Sequence, residues 1–297
     1  MDCGLCWRVK VGVVGASGLV GGALCSLLEK NGYQWVGFSR SPKGRSGEWR
    51  SMDEGFVGLD AVVNLAGESI ATRWTEENKR RFEESRVGVT GEIVAEFRKL
   101  SEGERPQVLV NASAVGYYGD HGGDCLTEAS PNGSGYLAEL CERWEAAAEK
   151  AEGLGIRVVY GRIGVVLAKE SEAWRRMKGV FSAGMGGRLG SGRQFWPVVH
   201  VEDVAGGILH VLEHDFIHGP VNLVGRTTVS NAEYTAVLGS VLRRPSFLSV
   251  PAFVLNLVLG EFAGALLASY RVEASVLQES GYAFEYPELE GLLMALK

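Results

Sequence analysis

Three glycines at intervals of three residues constrain this chain more than any other feature. Residues 11–28 read VGVVGASGLVGGALCSLL, in which G-x-x-G-x-x-G separates an apolar run typical of a buried strand from an apolar pattern of helical period. In that context the glycines permit a tight turn, a close approach of backbone to a diphosphate, and close packing of helix on strand. The helix N-terminus adds unpaired N–H groups. We therefore expect a dinucleotide to bind at Gly15, Ser17, Gly18, Leu19, Val20 and Gly21.

The end of the next apolar strand indicates which dinucleotide to expect. An acidic residue at this place binds a ribose 2'-hydroxyl, but the sequence here is FSRSPKGR, with Ser39 and Arg40 in the acidic residue's position and Lys43 and Arg45 close behind. A cation there accommodates a 2'-phosphate, which favours NADP over NAD. The alternative is that these are solvated charges of a surface loop.

Alternation of short apolar runs with helical patterns predicts the fold class. Repeated βα units with apolar strands indicate an α/β protein with a doubly wound parallel sheet covered on both faces. We predict a dinucleotide-binding Rossmann domain at residues 1–166, with a return segment at about 196–224. Residues 167–195 and 225–297 are predicted to form a smaller substrate domain, with helices at 230–243 and 251–279.

Charge and cysteine content exclude several classes of function. The formal net charge is −6 and no block of Lys and Arg occurs, so a nucleic-acid partner is not expected. Five cysteines scattered through the chain do not resemble a disulfide framework, which favours a reducing, cytoplasmic setting. Cys3 and Cys6 form an isolated C-x-x-C without further ligands, and no metal site is expected.

One long apolar stretch raises the question of a membrane. Residues 250–269, VPAFVLNLVLGEFAGALLAS, are interrupted by Pro251, Gly260 and Glu261. A charge at the centre of a spanning helix is costly, so we interpret the stretch as a core helix or an oligomer contact, and expect no membrane partner. A monomer or a homodimer is expected.

Several segments in the right order resemble a known family. The glycine motif, NLAGE at 64–68 and NASAVGYYGD at 111–120 are similar to the extended short-chain dehydrogenase/reductases. SRVGVT at 85–90, YLAELCERWE at 136–145, GSGRQFWPVVHVEDV at 190–204 and the C-terminal RRPSFLSVPAFVLNLVLGE resemble more narrowly its atypical, sugar-nucleotide epimerase-like branch. The resemblance runs over nearly the whole chain.

The resemblance implies an NADP-bound Rossmann domain and assigns further residues to the cofactor. These are Leu65, Ala66, Gly67, Arg86, Ala112 and Val165, with Val165 beside the nicotinamide region. For Arg86 the alternative is an ion pair on a helix surface. His200 and Asp203 are expected to hold the domain junction rather than to act in catalysis.

Catalysis would require one further kind of residue. Hydride transfer to or from a carbon that carries oxygen needs a group that moves the hydroxyl proton. The superfamily uses a tyrosine in Y-x-x-x-K, whose lysine lowers the phenol pKa. This sequence contains no Y-x-x-x-K: Tyr136, in the corresponding place, is followed four residues later by Leu140. Ser113 matches the superfamily's catalytic Ser/Thr, with strand-end capping as the alternative.

Other polar residues could take over the missing role. Tyr118, with Tyr117, Asp120 and His121, offers a substitute acid or base beside the same strand end. Arg193 and Gln194 could clamp an anionic or polyhydroxylated substrate, although polar residues in a glycine-rich loop are often only surface residues.

The sequence therefore leaves two hypotheses for the function. One is an NADP-dependent epimerase or oxidoreductase that acts by hydride transfer on a sugar nucleotide or a related carbonyl or hydroxyl compound. The other is a catalytically inactive NADPH-binding sensor or interaction protein. The absence of Y-x-x-x-K favours the second, and the separate substrate-like domain favours the first.

Overall fold

The chain folds around a parallel β-sheet that has helices on both faces. The computed structural model describes residues 9–39 and 47–297. Its strands, in chain order, are β1 (Lys10–Val14), β2 (Gln34–Phe38), β3 (Glu48–Arg50), β4 (Ala61–Asn64), β5 (Val108–Ala114), β6 (Cys125–Leu126), β7 (Arg157–Ile163), β8 (Val165–Leu167), β9 (Gly187–Leu189), β10 (Phe195–Trp196), β11 (Val198–His200), β12 (Gly219–Leu223), β13 (Val229–Ser230), β14 (Leu248–Val250) and β15 (Arg271–Val272).

The helices alternate with these strands over the first half of the chain. They are α1 (Leu19–Lys30), α2 (Glu76–Glu83), α3 (Val89–Lys99), α4 (Tyr136–Glu149), α5 (Glu172–Ser182), α6 (Val201–Glu213), α7 (Asn231–Leu242), α8 (Ala252–Leu259), α9 (Phe262–Leu267), α10 (Ser275–Glu279) and α11 (Leu289–Leu296). A π-helical turn at Glu84–Gly88 joins α2 to α3, and a 3₁₀ turn at Val115–Tyr118 follows β5.

The strand order of the main sheet sets the position of the ligand crevice. The order is β12-β7-β5-β4-β1-β2-β3, and all neighbours are parallel. The connection from β1 runs outward to β2 and β3, whereas β4 lies on the other side of β1, so the order reverses between β1 and β4. Open α/β sheets bind ligands beyond the carboxyl ends of the strands at such a reversal.

Two apolar cores cover the two faces of this sheet, as the predicted doubly wound class requires. Alternate residues of β5 divide between them: Val108 and Val110 belong to the core with α1 and α6, while Leu109 belongs to the core with α3 and α4. This two-residue period is that of a strand buried on both sides. The α/β doubly wound prediction is confirmed.

A third core lies outside the sheet and joins helices from the C-terminal part. Trp174 of α5, Tyr234 of α7 and Leu293 of α11 are its large buried members. The predicted smaller domain contains this core, but residues 270–284 pack elsewhere. Val272 and Leu277 belong to the core under the main sheet, and β15 pairs with β6.

The secondary structure differs from the sequence prediction in two places. The edge strand β3 was not predicted. The helix expected at 251–279 is divided into α8, α9, β15 and α10, since Gly260 has a φ of +62° that ends α8. No helix in the described residues is both long enough and apolar enough to cross a bilayer.

Candidate functional site

The glycine-rich turn after β1 leaves backbone donors without partners. Gly15 has a φ of +83°, and its carbonyl accepts the N–H of Gly18 at 2.9 Å. The first bond of α1 runs from the N–H of Gly22 to the carbonyl of Gly18, and no side chain caps the helix. The amides of the first helical turn are therefore free to meet an anion, and the helix dipole favours one.

Side chains are excluded from this turn by close backbone contacts. A Cβ on Gly21 would overlap the carbonyl oxygen of Gly15 and lie 2.8 Å from the Cα of Ala16. A Cβ on Gly15 would lie 2.8 Å from the carbonyl oxygen of Leu65, where β4 ends beside β1. These contacts bring the two strand ends together at the reversal of strand order.

A groove of about 670 Å³ lies over the turn. Seven of the predicted cofactor residues line it together: Gly15, Ser17, Gly18, Ser39, Leu65, Ala66 and Gly67. Leu19, Val20 and Gly21 form the first turn of α1 beneath it. A groove over free helix N-terminal amides, beside a turn whose close backbone contacts admit no Cβ at Gly15 or Gly21, fits the diphosphate of a dinucleotide.

The groove also has lining residues that the sequence analysis missed. On one face of the π turn and α3 these are Ser85, Val89 and Glu92. The lining also includes Phe38, Met52, Glu68, Arg81 and Glu84. The spacing of 85, 89 and 92 is that of a helical face, so this signal was present in the sequence. Ser39 donates its N–H to the carbonyl of Arg50 at 3.1 Å. The predicted contact of Arg40 lies outside the described residues.

Arg86 lies behind Gly67 and is held by the protein backbone rather than by a carboxylate. Its guanidinium donates to the carbonyl of Glu68 at 2.8 Å and to that of Phe82 at 3.3 Å, and it lies 5.3 Å from the ring centre of Trp144. A Cβ on Gly67 would come within 3.2 Å of the guanidinium. Burial lowers the pKa of Arg86. Among the described residues it forms no ion pair, so the alternative of a surface ion pair is wrong.

Ser113 belongs to a buried polar network rather than to an open surface. It is 2% exposed, and its hydroxyl donates to Oε1 of Glu145 at 2.6 Å. Glu145 also accepts Nε and Nη2 of Arg162, both at 2.9 Å. Burial opposes the charge of Arg162, but the hydrogen bonds and the charge of Glu145 raise its pKa.

The network continues across the sheet to β12. Ser113, Arg162 and Asn222 lie side by side on β5, β7 and β12. Tyr118 is fully buried, accepts Nη1 of Arg162 at 3.0 Å, and donates to Oδ1 of Asn222 at 2.7 Å. Burial raises the pKa of Tyr118 to about 12. A fully buried, internally bonded phenol cannot reach a substrate. This arrangement therefore does not present Tyr118 as an acid or base.

Tyr136 begins α4 and points its hydroxyl at the protein. The hydroxyl donates to the backbone carbonyl of Lys79 at 3.1 Å, and the ring lies 5.3 Å from that of Trp74. Burial raises the pKa of Tyr136. The nearby cations Arg86 and Lys79 act in the opposite direction but do not overcome burial. Tyr136 is therefore not prepared as a base in this arrangement.

The remaining predicted residues occupy different places. Val165 is 39% exposed at the start of β8, whereas Ala112 is buried within β5. Gln194 is buried and donates its amide to the carbonyl of Leu189 at 3.0 Å, so it stabilises the glycine-rich loop and does not clamp a substrate. Arg193 is exposed.

The expected structural role of Asp203 agrees with its contacts. Its carboxylate accepts the N–H groups of Glu285 at 2.8 Å and Tyr286 at 3.1 Å, which fastens the segment after α10 to α6. The ring of His200 lies against that of Tyr286 at an interplanar angle of 48°, with ring centres 4.1 Å apart.

Comparison with known proteins places these features in a family. The sequence model of the NAD dependent epimerase/dehydratase family matches residues 11–225. The chain belongs to this family. Residues 250–296 match a domain of unknown function, DUF1731. A chloroplastic epimerase family protein of Arabidopsis thaliana, an SDR39U1 homologue, is 36% identical over 97% of this chain and 87% of its own length.

Solved structures of relatives agree with the fold. The crystal structure of human epimerase family protein SDR39U1 with NADPH has a TM-score of 0.89 and 32% identity, covering 97% of this chain and 99% of that one. UDP-N-acetylglucosamine 4-epimerase from Bacillus cereus has a TM-score of 0.76 at 15% identity, over 97% of this chain and 98% of that one. The second likeness concerns the fold alone.

Proposed function

We propose that this protein binds NADP(H) in the groove over the glycine-rich turn and transfers hydride to or from a sugar nucleotide or a related carbonyl or hydroxyl compound. The observation that carries the proposal is the turn itself: free amides at the start of α1, and two glycines at which a Cβ would collide with backbone atoms of the turn and of the end of β4. Membership of the epimerase/dehydratase family supports the reaction class. The human relative crystallised with NADPH supports the choice of dinucleotide.

Different residues of the chain would bind different parts of the cofactor. Gly15, Gly18 and the first turn of α1 would bind the diphosphate, and Leu65 to Gly67 would lie along the cofactor. Arg86 would present a fixed positive charge behind Gly67. Bound NADP(H) supplies or accepts the hydride. The smaller C-terminal unit would carry the substrate, in a cytoplasmic setting.

The test of binding is a fluorescence titration of purified protein with NADPH and, separately, NADH. Tighter binding of NADPH that is lost in Arg40→Ala supports the assignment of the 2'-phosphate to the loop after β2. Equal binding of both dinucleotides contradicts NADP selectivity, and binding of neither contradicts the proposal. Turnover is then followed as NADPH oxidation with a panel of sugar nucleotides and carbonyl compounds.

A second candidate function is cofactor binding without hydride transfer, in a sensor or interaction protein. One observation favours it: the hydroxyls of Ser113 and Tyr136 both donate to acceptors within the protein. Absence of turnover across the panel, with NADPH binding intact, supports this candidate. Turnover in wild type that Tyr136→Phe abolishes supports the enzyme and requires Tyr136 to leave the Lys79 carbonyl.

A further inference from the structure

Exposed apolar side chains are concentrated in one short segment of the chain. Of the twelve large apolar side chains exposed in the described residues, five lie between residues 247 and 258. They are Phe247 (81% exposed), Leu248 (41%), Phe253 (71%), Leu257 (75%) and Val258 (64%). Such concentration marks an interaction site, whereas single exposed apolar residues are ordinary.

The local fold holds this segment on the outside of the smaller unit. β14 pairs with β9, and α8 begins directly after β14. Leu255 is the one buried residue of α8. Phe253 and Leu257 are four residues apart and therefore lie on the same face of the helix. The five side chains, here called the α8 surface, thus lie on β14, on α8 and, for Phe247, on the residue that precedes β14.

Exposed arginines flank the α8 surface, in a protein of net charge −6. Glu261, which follows α8, is 59% exposed and pairs with Lys79 at 2.7 Å. Arg188 is in β9 beside Ser249 of β14, and Arg243 and Arg244 directly precede the apolar segment. Arg188, Arg193, Arg243 and Arg244 are all exposed, and none forms an ion pair within the described residues.

Apolar side chains bordered by arginines that form no ion pair among the described residues fit a partner that buries apolar surface and supplies negative charge. The interface of an anionic bilayer does both. We propose that the α8 surface binds the protein peripherally to anionic lipid bilayers, with Phe253 and Leu257 in the interface and the arginines on the headgroups. This inference replaces the expectation that no membrane takes part, and it is independent of the proposed reaction.

The location of the surface gives such binding a consequence for the site. Arg73, in the loop between β4 and α2, donates to the carbonyl of Leu257 at 3.2 Å. Trp74 lies 6.0 Å from the ring of Phe262 and 5.3 Å from that of Tyr136. The α8 surface therefore adjoins the residues around Tyr136, and docking would bring that side of the protein towards the bilayer.

The test is flotation of the full chain with vesicles of phosphatidylglycerol and phosphatidylcholine in equal parts, compared with vesicles of phosphatidylcholine alone. We expect binding to the anionic vesicles that weakens as salt rises, because exposed charges are screened. Phe253→Ser with Leu257→Ser should weaken binding at least about tenfold, and each of Arg243→Gln and Arg244→Gln about fivefold.

Phe216→Ser is the matched control, since Phe216 is 62% exposed on the loop between α6 and β12. It should bind vesicles like wild type, and all these exposed substitutions should leave the melting temperature unchanged. Absence of vesicle binding, or equal binding to neutral vesicles, overturns the proposal. It is also overturned if light scattering shows a dimer that Phe253→Ser with Leu257→Ser converts to a monomer, because a second copy then covers the surface.

Discussion

Two regions of the molecule differ in whether their hydrogen-bonding groups have partners within the protein. One is the groove over the glycine-rich turn, and the other is the polar network at the ends of β5, β7 and β12. In the groove, the amides at the start of α1 have no hydrogen-bond partner within the part of the chain that the structure describes. In the network, Ser113, Glu145 and Arg162 are at most 8% exposed and satisfy one another. The two regions lie at the same edge of one sheet.

This difference distinguishes groups that are available to bind a ligand from groups that stabilise the fold. Free donors at a helix end cost little in water and become useful when an anion arrives. A buried ion pair must be satisfied internally, because an unpaired buried charge is strongly destabilising. Dinucleotide binding is therefore built into the backbone, whereas the hydroxyls at the expected catalytic positions already have protein partners.

Arg162→Met should give the largest effect, and on stability alone. It leaves the carboxylate of Glu145 buried without its guanidinium, which costs about 3–5 kcal/mol in the free energy of unfolding. Urea unfolding measures the loss. The double variant Glu145→Gln with Arg162→Met should recover part of it. Folded Arg162→Met that retains wild-type stability but has lost NADPH affinity would contradict the separation of the two regions.

Gly21→Ala should give the next largest effect, on NADPH binding and, through the strained turn, on stability. The added methyl overlaps the Gly15 carbonyl and forces the turn open, which should weaken NADPH about 100-fold, equivalent to about 2.7 kcal/mol. Gly22→Ala is the matched control, because its Cβ would be 3.9 Å from the nearest neighbour, the carbonyl oxygen of Ala16. Equal NADPH affinity of the two variants in a fluorescence titration would show that the turn does not bind the cofactor.

Tyr136→Phe should have a smaller effect. It removes one hydrogen bond to a backbone carbonyl, worth about 1 kcal/mol of stability, and keeps the ring beside Trp74. NADPH affinity should be unchanged. A large loss of affinity, with stability intact, would mean that the hydroxyl leaves Lys79 to contact the cofactor.

Glu128→Gln should give the smallest effect, visible as a change with pH. Burial raises the pKa of Glu128 above its ordinary 4.5. Among the described residues Oε2 has no hydrogen-bond partner, while Oε1 accepts the N–H groups of Asn222 and Val276. The folded state therefore holds the proton more tightly than the unfolded state. Wild-type stability falls as pH rises from the ordinary pKa through the folded one.

The glutamine variant cannot ionise and should lack this part of the decline, so its stability relative to wild type should increase as the pH rises. Urea unfolding across that range measures the difference. A constant difference between the two proteins at every pH would mean that Glu128 has the same pKa folded and unfolded.

The sequence predicted the groove better than the network, for a physical reason. Glycine spacing, apolar strands and the segment at 64–67 are local patterns, and the backbone geometry that they impose forms the proposed binding site. Glu145 and Arg162 meet only because α4 packs against the face of β5 and β7, and no local pattern indicates that contact. The same limit applies to Ser113, whose position at the strand end is local but whose partner is not.

The C-terminal apolar stretch illustrates another limit. Its composition suggested a core helix or an oligomer contact, and α8 has most of its side chains outside the core. Hydrophobicity alone cannot distinguish a buried helix from an exposed apolar surface, because the distinction depends on which neighbours cover it. Gly260, which ends α8, was the local signal that the stretch is not one helix.

A crystal structure of this protein with NADPH tests the contrast between the two regions most directly. The account predicts the diphosphate on the free amides of α1, with the hydroxyl of Ser113 still on Glu145 and that of Tyr136 still on the Lys79 carbonyl. A cofactor bound away from the glycine-rich turn would contradict it, and so would a Ser113 hydroxyl turned from Glu145 towards the nicotinamide.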